Sequence, residues 1–373
     1  MISSASDDDP KLPKDVAVEV LKRLPVESLL RFRCVCRSWR STIDDPRFVA
    51  LHLNHSALDA SNWHLVALHG DYPVRNLCYL LSGESLAPPS VSQIEIPFAA
   101  TSSNNYGFVV GSCNDLICVM EYGHGNPWSM YLWNLFTRKY REVRPSTLAR
   151  KYLCTIALGF GFDARSNDHK IVILYDGNVQ RLETRVQIYS LRTDSWRSLE
   201  CEVPAFCRNT SSVFLNGNLH WLVPKHDDMW WETGYRSIAL FDVVNEVFDE
   251  MVPSEKFLHV ISVSSQAVLS VLNDLLAVCT SREETVGHPE TLLCFSVWVM
   301  REYGVPDSWT ELYCFQTSEQ VLGVDGFTRN GDLLLKIDGA KRLSRNPITG
   351  QFTNLPLRTH RDFYTVVESL VSP

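Results

Sequence analysis

The side chains best suited to chemistry lie in one short segment, His226-Asp227-Asp228 followed by Trp230-Trp231. Imidazole and carboxylate groups can bind a metal ion or transfer protons, and indole rings stack on ligands. The segment separates two apolar stretches, so we expect a loop, and loops often carry binding residues. Its composition fits either a solvated loop with local aromatic packing or a contact for a partner protein. Metal-dependent catalysis is not expected here.

Motifs of established catalytic sites are absent from the sequence. It contains no GxSxG nucleophile elbow, HExxH zinc motif, Walker phosphate loop or complete GxGxxG. Gly159-Phe160-Gly161 lacks the third glycine and precedes a strand pattern, which indicates a sheet where backbones crowd together. Cys34 and Cys36 would point about 200° apart on a helix, so they could not share one ion. The sequence therefore predicts no enzyme, no metal site and no cofactor.

Composition narrows the class of protein. The 373 residues are 45% hydrophobic and 21% charged, as expected for a folded chain, and the net charge is −8. This negative charge argues against nucleic-acid binding, and no apolar run approaches the ~18 residues of a membrane span. The start, MISSASDDDPK, does not resemble a signal peptide, so we expect a cytoplasmic or nuclear protein. In such a reducing compartment, most of the eleven cysteines, Cys36 included, should be buried apolar residues.

A helical module follows a disordered lead at residues 1–10 and extends over residues 11–55. Val16, Val20 and Leu24 recur every four residues until Pro25, and a second helix should begin near Glu27. Its apolar positions continue to Asp45-Pro46 as Phe32, Val35, Cys36, Trp39 and Ile43. Residues 11–47 hold nine Lys or Arg and five Asp or Glu, a net +4, so the rest of the chain carries −12. The module should therefore be electrostatically distinct.

The same module has more apolar residues than a core of its size can bury. We expect Leu12, Pro13, Val16, Leu29 and Leu30 to leave an apolar patch, and such patches usually bind a partner. Packing of these residues onto the downstream domain is the alternative.

After residue 55 the chain consists of short apolar stretches that recur about every 50 residues. One half of each unit is a hairpin signal, Asn-Gly or Asn-Asp between apolar strands, in residues 112–120, 214–223, 271–279 and 328–337. The other half is a strand, a polar turn and an aromatic residue, in residues 132–145, 188–199 and 240–253 and more weakly in 297–315 and 342–357.

Two hairpins per unit predict a β-propeller with about six four-stranded blades over residues 56–373. The first blade comes from residues 65–98, and residues 363–371 should add a strand that closes the ring. The predicted fold class is α+β multidomain, with the all-α module followed by this all-β domain, and a two-sheet sandwich is the alternative. Polar insertions at 99–106, 176–184, 224–235 and 281–291 should form recognition surfaces, and the acidic domain suggests a neutral or basic partner.

The helical module closely resembles an F-box, through Leu12-Pro13, Arg23-Leu24-Pro25, Leu29-Leu30, Val35-Cys36 and Trp39, together with Phe32. The resemblance implies insertion into the Skp-type adaptor of a Skp–cullin–F-box ubiquitin ligase. The implied adaptor-binding residues are Leu12, Pro13, Val16, Val20, Leu24, Pro25, Leu29, Leu30, Val35 and Trp39. Trp39 is also expected to hold the helices together.

The remaining chain resembles the kelch-like F-box-associated domain of plant F-box proteins, through residues 158–163, 169–172 and 215–222, although it lacks the Gly-Gly pair of true kelch repeats. This resemblance implies a non-catalytic receptor that binds the Skp-type adaptor, and through it cullin and RING subunits, while the propeller binds a target protein. Residues His226, Asp227, Asp228, Trp230 and Trp231 are the candidate target contacts. The alternative is a glycan-binding propeller or propeller enzyme, with Trp128, Trp230 and Trp231 as stacking faces.

Overall fold

The computed structural model describes residues 13–69, 77–82, 91–98, 105–123, 126–146, 155–176, 184–204, 210–225, 234–285, 291–359 and 361–373. The predicted adaptor contact Leu12, the predicted lead at 1–10 and the predicted target contacts at 226–231 lie outside these residues.

Four short helices form the N-terminal module: α1 (Lys14–Leu21), α2 (Val26–Phe32), α3 (Arg37–Ile43) and α4 (Pro46–Ser56). The expectation of one helix running from Glu27 to Ile43 is wrong. Cys36 is extended, with φ −153°, and its sulfur accepts the N–H of Trp39, so a new helix begins at Arg37. Asp45 caps α4 in the same way, through the N–H of Arg47.

The strands that follow form six sheets. The first blade contains β1 (Trp63–Leu68), β2 (Leu77–Ser82) and β3 (Val91–Glu95); the second contains β4 (Asn105–Cys113), β5 (Leu116–Gly123), β6 (Asn126–Trp133) and β7 (Tyr140–Val143). The third contains β8 (Thr155–Asp163), β9 (Asp168–Asp176), β10 (Thr184–Ser190) and β11 (Ser195–Leu199), and the two-residue β12 (Thr210–Ser211) pairs with β8 in parallel. The fourth contains β13 (Val213–Leu215), β14 (Asn218–Pro224), β15 (Tyr235–Asp242) and β16 (Val247–Met251).

Helix α5 (Glu255–Ser262) connects the fourth blade to the fifth, which contains β17 (Gln266–Leu272), β18 (Leu275–Thr285), β19 (Thr291–Met300) and β20 (Trp309–Thr317). The sixth contains β21 (Val321–Phe327), β22 (Leu333–Ile337), β23 (Lys341–Arg345) and β24 (Phe352–Arg358). The last strand, β25 (Tyr364–Val367), pairs antiparallel with β1 and completes the first blade. The six-bladed propeller and its closure are therefore confirmed, and the two-sheet sandwich is wrong.

Tight turns join the first two strands of several blades, as the Asn-Gly and Asn-Asp pairs predict. Both residues have positive φ in Asn114-Asp115, Asn216-Gly217 and Asn273-Asp274, which matches the backbone twist of a two-residue hairpin. At the fourth predicted pair, Asn330-Gly331, only the glycine has positive φ (87°), because this turn is longer and closes between Thr328 and Asp332.

Crowding between inner strands explains the glycines of the third blade. A Cβ atom added to Gly159 would lie 2.6 Å from Leu219 Cδ1, and one added to Gly161 would lie 2.7 Å from Phe214 Cδ2. Neither site could accept a larger residue without moving the next blade. The Gly159-Phe160-Gly161 segment is thus a packing feature of the propeller.

The propeller has two faces, which we name from the first blade. The helical face is where β1 begins at Trp63 and β25 ends at Val367, directly after the helical module. The distal face is the opposite one, where β1 ends at Leu68. Because the strands of each blade alternate in direction, the connections after β5, β9, β14 and β18 leave from the distal face.

Residues 368–373 join the helical module to the helical face of the propeller. Leu370 is 8% exposed and belongs to the apolar core of the helices, together with Leu21, Val26 and Leu29. Asn134, in the buried turn after β6, donates from Nδ2 to the carbonyl oxygens of Ser369 (3.1 Å) and Val371 (2.8 Å). The C-terminal residues thus contact both parts of the chain.

Asp115 is a buried carboxylic acid beneath the same residues. Its Oδ1 accepts the N–H of Val367 at 2.8 Å, and Ser369 also bonds to the carboxyl group. Burial nevertheless dominates and raises the pKa of Asp115 to about 7. Burial thus opposes ionisation of a carboxyl group that accepts hydrogen bonds from the C-terminal residues Val367 and Ser369.

Candidate functional site

An exposed apolar surface lies on the helical module. Val16 and Val20 are 46% and 50% exposed and stand one turn apart on the same side of α1. Val35, between α2 and α3, is 67% exposed, and Pro13 and Pro25 are also exposed. So many exposed apolar residues in four short helices form a surface suited to a protein partner.

The other predicted adaptor contacts lie deeper in the module. Leu29 is fully buried, and it contributes to the core rather than to the surface. Leu24 and Leu30 are half-buried and pack against the same core. Trp39 is half-buried with its ring 4.9 Å from that of Phe32 in an edge-to-face contact, so it joins α3 to α2.

Polar contacts hold the helices at fixed angles. Arg33 pairs with Asp44 through Nε–Oδ1 at 2.5 Å and Nη2–Oδ2 at 3.0 Å, and this hydrogen-bonded guanidinium lowers the pKa of Asp44. His52 lies buried in α4 with Nε2 3.0 Å from the carbonyl oxygen of Leu24. Burial lowers the pKa of His52, and its imidazole connects α4 to the segment between α1 and α2.

The predicted target contacts at 226–231 lie outside the described residues, but the strands that flank them are described. Strand β14 ends at Pro224 and β15 begins at Tyr235, and both ends lie on the distal face. His220 in β14 is fully buried, with Nδ1 3.1 Å from the carbonyl oxygen of Val213 and Nε2 2.8 Å from the hydroxyl of Tyr303. One ring nitrogen bonds within the fourth blade and the other to Tyr303, in the turn after β19 of the fifth blade, so His220 is structural.

A buried cluster of charged side chains between the third and fourth blades is also structural. Lys170 donates at 2.8–2.9 Å to Asp163, to Glu246 and to the carbonyl oxygen of Val243. Burial opposes ionisation of Asp163, but the hydrogen bonds from Lys170 and Ser166 prevail and lower its pKa. All three ammonium protons have acceptors, so Lys170 joins the third blade to the fourth and has no proton left for catalysis.

The described residues give little evidence for a metal site or a glycan-binding site. No cluster of His, Cys, Asp or Glu among those residues could hold a metal ion. Trp128 is 8% exposed and lies against Trp196, so its ring offers no open face for a sugar. Of the three tryptophans considered for stacking, Trp230 and Trp231 are not described.

Fewer of the described cysteines are buried than the sequence predicts. Buried positions are confirmed for Cys78, Cys113, Cys118 and Cys279, but Cys34, Cys36, Cys201 and Cys314 are exposed. The expectation that Cys36 is a core residue is wrong, because Cys36 occupies the break between α2 and α3, where its sulfur caps a helix.

Within the described ranges, no helix is long and apolar enough to cross a bilayer.

Two features of the site were not predicted from the sequence. The first is Leu370, which the pattern placed in a closing strand but which packs against the helices. The second is a cleft of about 640 Å³ between the sixth and first blades, lined in part by Tyr79, Lys341 and Arg358. Its walls come from opposite ends of the chain, so no local pattern could have revealed it.

Comparison with known proteins agrees with this architecture. Residues 10–51 match the F-box domain family, and residues 75–343 match the F-box associated beta propeller domain family. F-box/kelch-repeat protein At3g23880 of Arabidopsis thaliana is 28% identical, over 81% of this chain and 78% of that protein. F-box protein At3g07870 is 27% identical over 96% and 90%, and F-box protein CPR1 is 25% identical over 83% and 74%, both from the same plant. The chain therefore belongs to the plant family of F-box proteins that carry an F-box-associated β-propeller domain.

Proposed function

We propose that this protein is the target-recognition subunit of a Skp–cullin–F-box ubiquitin ligase. The observation that carries the proposal is the apolar surface of Val16, Val20 and Val35 on a helical module whose own core is already complete. An Skp-type adaptor would cover this surface and connect the chain to cullin and RING subunits.

Exposure supports a ranking of the proposed adaptor contacts. Exposed residues can bury new area on binding, which applies to Pro13, Val16, Val20, Pro25 and Val35. The half-buried side chains at the edge of this surface are secondary contacts: Leu24, Leu30 and Trp39. Leu29 is proposed to support the surface from the core, and Leu12 stays a predicted contact.

The propeller is proposed to hold the target protein on its distal face. Strands β14, β15, β18 and β19, which flank residues 226–233 and 286–290, have their ends on that face, and the helical module occupies the other face. Target and adaptor would then bind at opposite ends of one molecule. The chain would contribute positioning, since ubiquitin transfer becomes effectively intramolecular when a target lysine is held near the conjugating enzyme.

Further proposals follow from the same role. The F-box module is proposed to occupy residues 11–55 and the propeller residues 56–373. The chain itself needs no catalytic residue or cofactor, because the chemistry belongs to other subunits. A cytoplasmic or nuclear location is proposed, where Skp-type adaptors and cullins would be available.

Reconstitution tests the proposal. The full chain is combined with the Skp-type adaptor, cullin and RING subunits, a charged conjugating enzyme and a target captured from cells treated with a proteasome inhibitor. We expect ubiquitin chains on the target only when this protein is present. Transfer that is equally fast without this protein, or failure to assemble with the adaptor, would refute the proposal.

Point variants are better controls here than truncation. Removing residues 1–50 would expose Leu370 and Phe136, which pack against the helices, and could perturb the propeller. Substituting an exposed residue such as Val16 changes the adaptor surface and leaves these contacts in place.

A further inference from the structure

An open cleft separates the outer strands of the sixth and first blades. It measures about 640 Å³, and its lining includes Tyr79 and Gln93 from the first blade and Lys341, Asn354 and Arg358 from the sixth. The corresponding gap between the fourth and fifth blades is filled differently. There Phe257 and Ile261 of α5 are fully buried and pack on Trp298 and Trp309. By contrast, the cleft between the sixth and first blades is open and has room for a ligand.

Two cations face each other at the rim of this cleft. Lys341 and Arg358 are directly opposite in the β23–β24 ladder, and both side chains are exposed. Like charges in this arrangement destabilise a sheet, and an anion placed between them would remove that repulsion. Neither residue has an ion-pair partner among the described residues.

A third cation of the lining, Arg342, is already neutralised. Its Nε lies 2.7 Å from Oδ2 of the fully buried Asp325 side chain, and it donates to the carbonyl oxygens of Lys341 (3.2 Å) and Arg361 (3.1 Å). Arg342 therefore fixes the wall of the cleft, and Lys341 and Arg358 supply the positive charge that no described carboxylate pairs with. This local charge stands out in a propeller that is acidic as a whole.

The floor of the cleft is apolar. Tyr79, Leu355 and Leu357 are buried there and belong to one core cluster with Val91. The outer strand β24 bulges where Leu355, Pro356 and Leu357 lie opposite Arg342. Proline and a bulge prevent β24 from pairing with a further strand, so a ligand must bind through side chains.

We propose that this cleft binds an acidic segment of the target protein, with one apolar side chain on the floor and carboxylates on Lys341 and Arg358. The proposal rests on the proposed function of the propeller as a target receptor and names the class of segment recognised. Both cations lie at the distal ends of their strands, on the face turned away from the helical module. Recognition then depends on this local charge and not on the negative charge of the whole domain, which had suggested a neutral or basic partner.

The test uses the full chain and a series of fluorescent peptides with one central leucine. The flanking residues are glutamine and are replaced stepwise by glutamate, and binding is followed by fluorescence polarisation. We expect affinity to rise with each glutamate and to fall as salt is added. Arg358→Glu should weaken binding of the most acidic peptide roughly 3- to 30-fold, because one contact becomes a repulsion.

The variant has a matched control and a readout for folding. Arg192→Glu makes the same change in net charge at an exposed position outside the cleft, in the turn between β10 and β11, and it should bind like the wild type. Arg358→Glu gives Lys341 an opposite charge, so its thermal stability should equal or exceed that of the wild type. Lys341→Gln provides a second variant, with a smaller expected loss.

Two results would overturn the proposal: affinity that is independent of glutamate content, or equal weakening by Arg358→Glu and Arg192→Glu. Adaptor binding is measured on the same preparations. Absence of peptide binding in a chain that still binds the adaptor refutes the acidic-segment proposal alone. Loss of adaptor binding in the wild-type chain refutes the proposed function instead.

Discussion

Leu370→Ala should loosen the helical module while leaving the propeller folded. The side chain lies in the helical core, in the cluster formed by Leu21, Val26, Leu29 and Ile43. It is the contact by which the C-terminal residues enter that core.

The expected cost follows from burial. Leucine-to-alanine changes in protein cores destabilise by about 2–5 kcal/mol, depending on how far the site collapses around the cavity. Leu370 is 8% exposed and sits near a chain end that can shift, so the lower part of this range applies, about 2–3 kcal/mol. Since about 1.4 kcal/mol corresponds to a tenfold change in an equilibrium, local opening of the helices should become roughly 30- to 150-fold more frequent.

Amide hydrogen exchange measures this opening directly. The relevant amides are those of α2, such as Leu29 and Arg33, which donate to the carbonyl oxygens of Pro25 and Leu29. They should exchange faster by the factor above, and amides of the inner propeller strands should not change. Leu322→Ala is the matched control, because Leu322 is 60% exposed. Wild-type exchange of the α2 amides in Leu370→Ala would refute the assigned role of the C-terminal residues.

Two further predictions concern the propeller. Burial raises the pKa of Asp115 in the folded state to about 7, so between about pH 4 and pH 7 the native chain binds a proton that the unfolded chain does not. The stability that this proton contributes is present at low pH and is lost as the pH rises through about 7. Asp115→Asn keeps an acceptor for the N–H of Val367 and cannot ionise, so the unfolding free energy of the variant minus that of the wild type should grow from about pH 4 to pH 7. A difference that stays constant over this interval would contradict the raised pKa. Gly159→Ala should cost about 1–3 kcal/mol because the added Cβ meets Leu219, whereas Gly107→Ala, with nothing closer than 3.7 Å, should be nearly neutral. Equal denaturation midpoints for the two alanine variants would argue against the crowding between blades.

The repeat pattern predicted the propeller well because its signals are local. Asn-Gly and Asn-Asp pairs specify tight hairpins through backbone geometry alone, and most of the predicted turns have the expected positive φ. The closing strand was also predicted, but β25 ends at Val367, whereas the apolar pattern continues to residue 371. Val367 pairs with Trp63, the first residue of β1, so the chain beyond Val367 has no further strand residue to pair with and turns to the helices.

The helical module shows where periodicity gives incomplete information. The resemblance to an F-box placed Val20 and Leu29 in one set of adaptor contacts, yet Val20 is half exposed and Leu29 is fully buried. Spacing alone does not say which of two apolar faces meets the module's own core. The break at Cys36 was missed because a cysteine sulfur that caps a helix has no strong sequence signature.

The cleft could not be predicted because it depends on long-range proximity. Its two walls are supplied by residues near Tyr79 and near Arg358, which meet only when the ring closes. The opposition of Lys341 and Arg358 depends in addition on the bulge in β24, which shifts the register of the ladder.

The central claim, that the exposed apolar surface of the helical module binds a Skp-type adaptor, is tested most directly by one pair of affinities. Titration calorimetry of the purified adaptor would compare Val20→Asp with Val252→Asp, which alter residues that are 50% and 61% exposed. Neither variant should disturb folding, since both side chains already contact water. The account predicts at least about 100-fold weaker binding for Val20→Asp, because an unpaired carboxylate buried at an apolar interface costs several kcal/mol, and no change for Val252→Asp. Equal adaptor affinities for Val20→Asp and the wild type would contradict it.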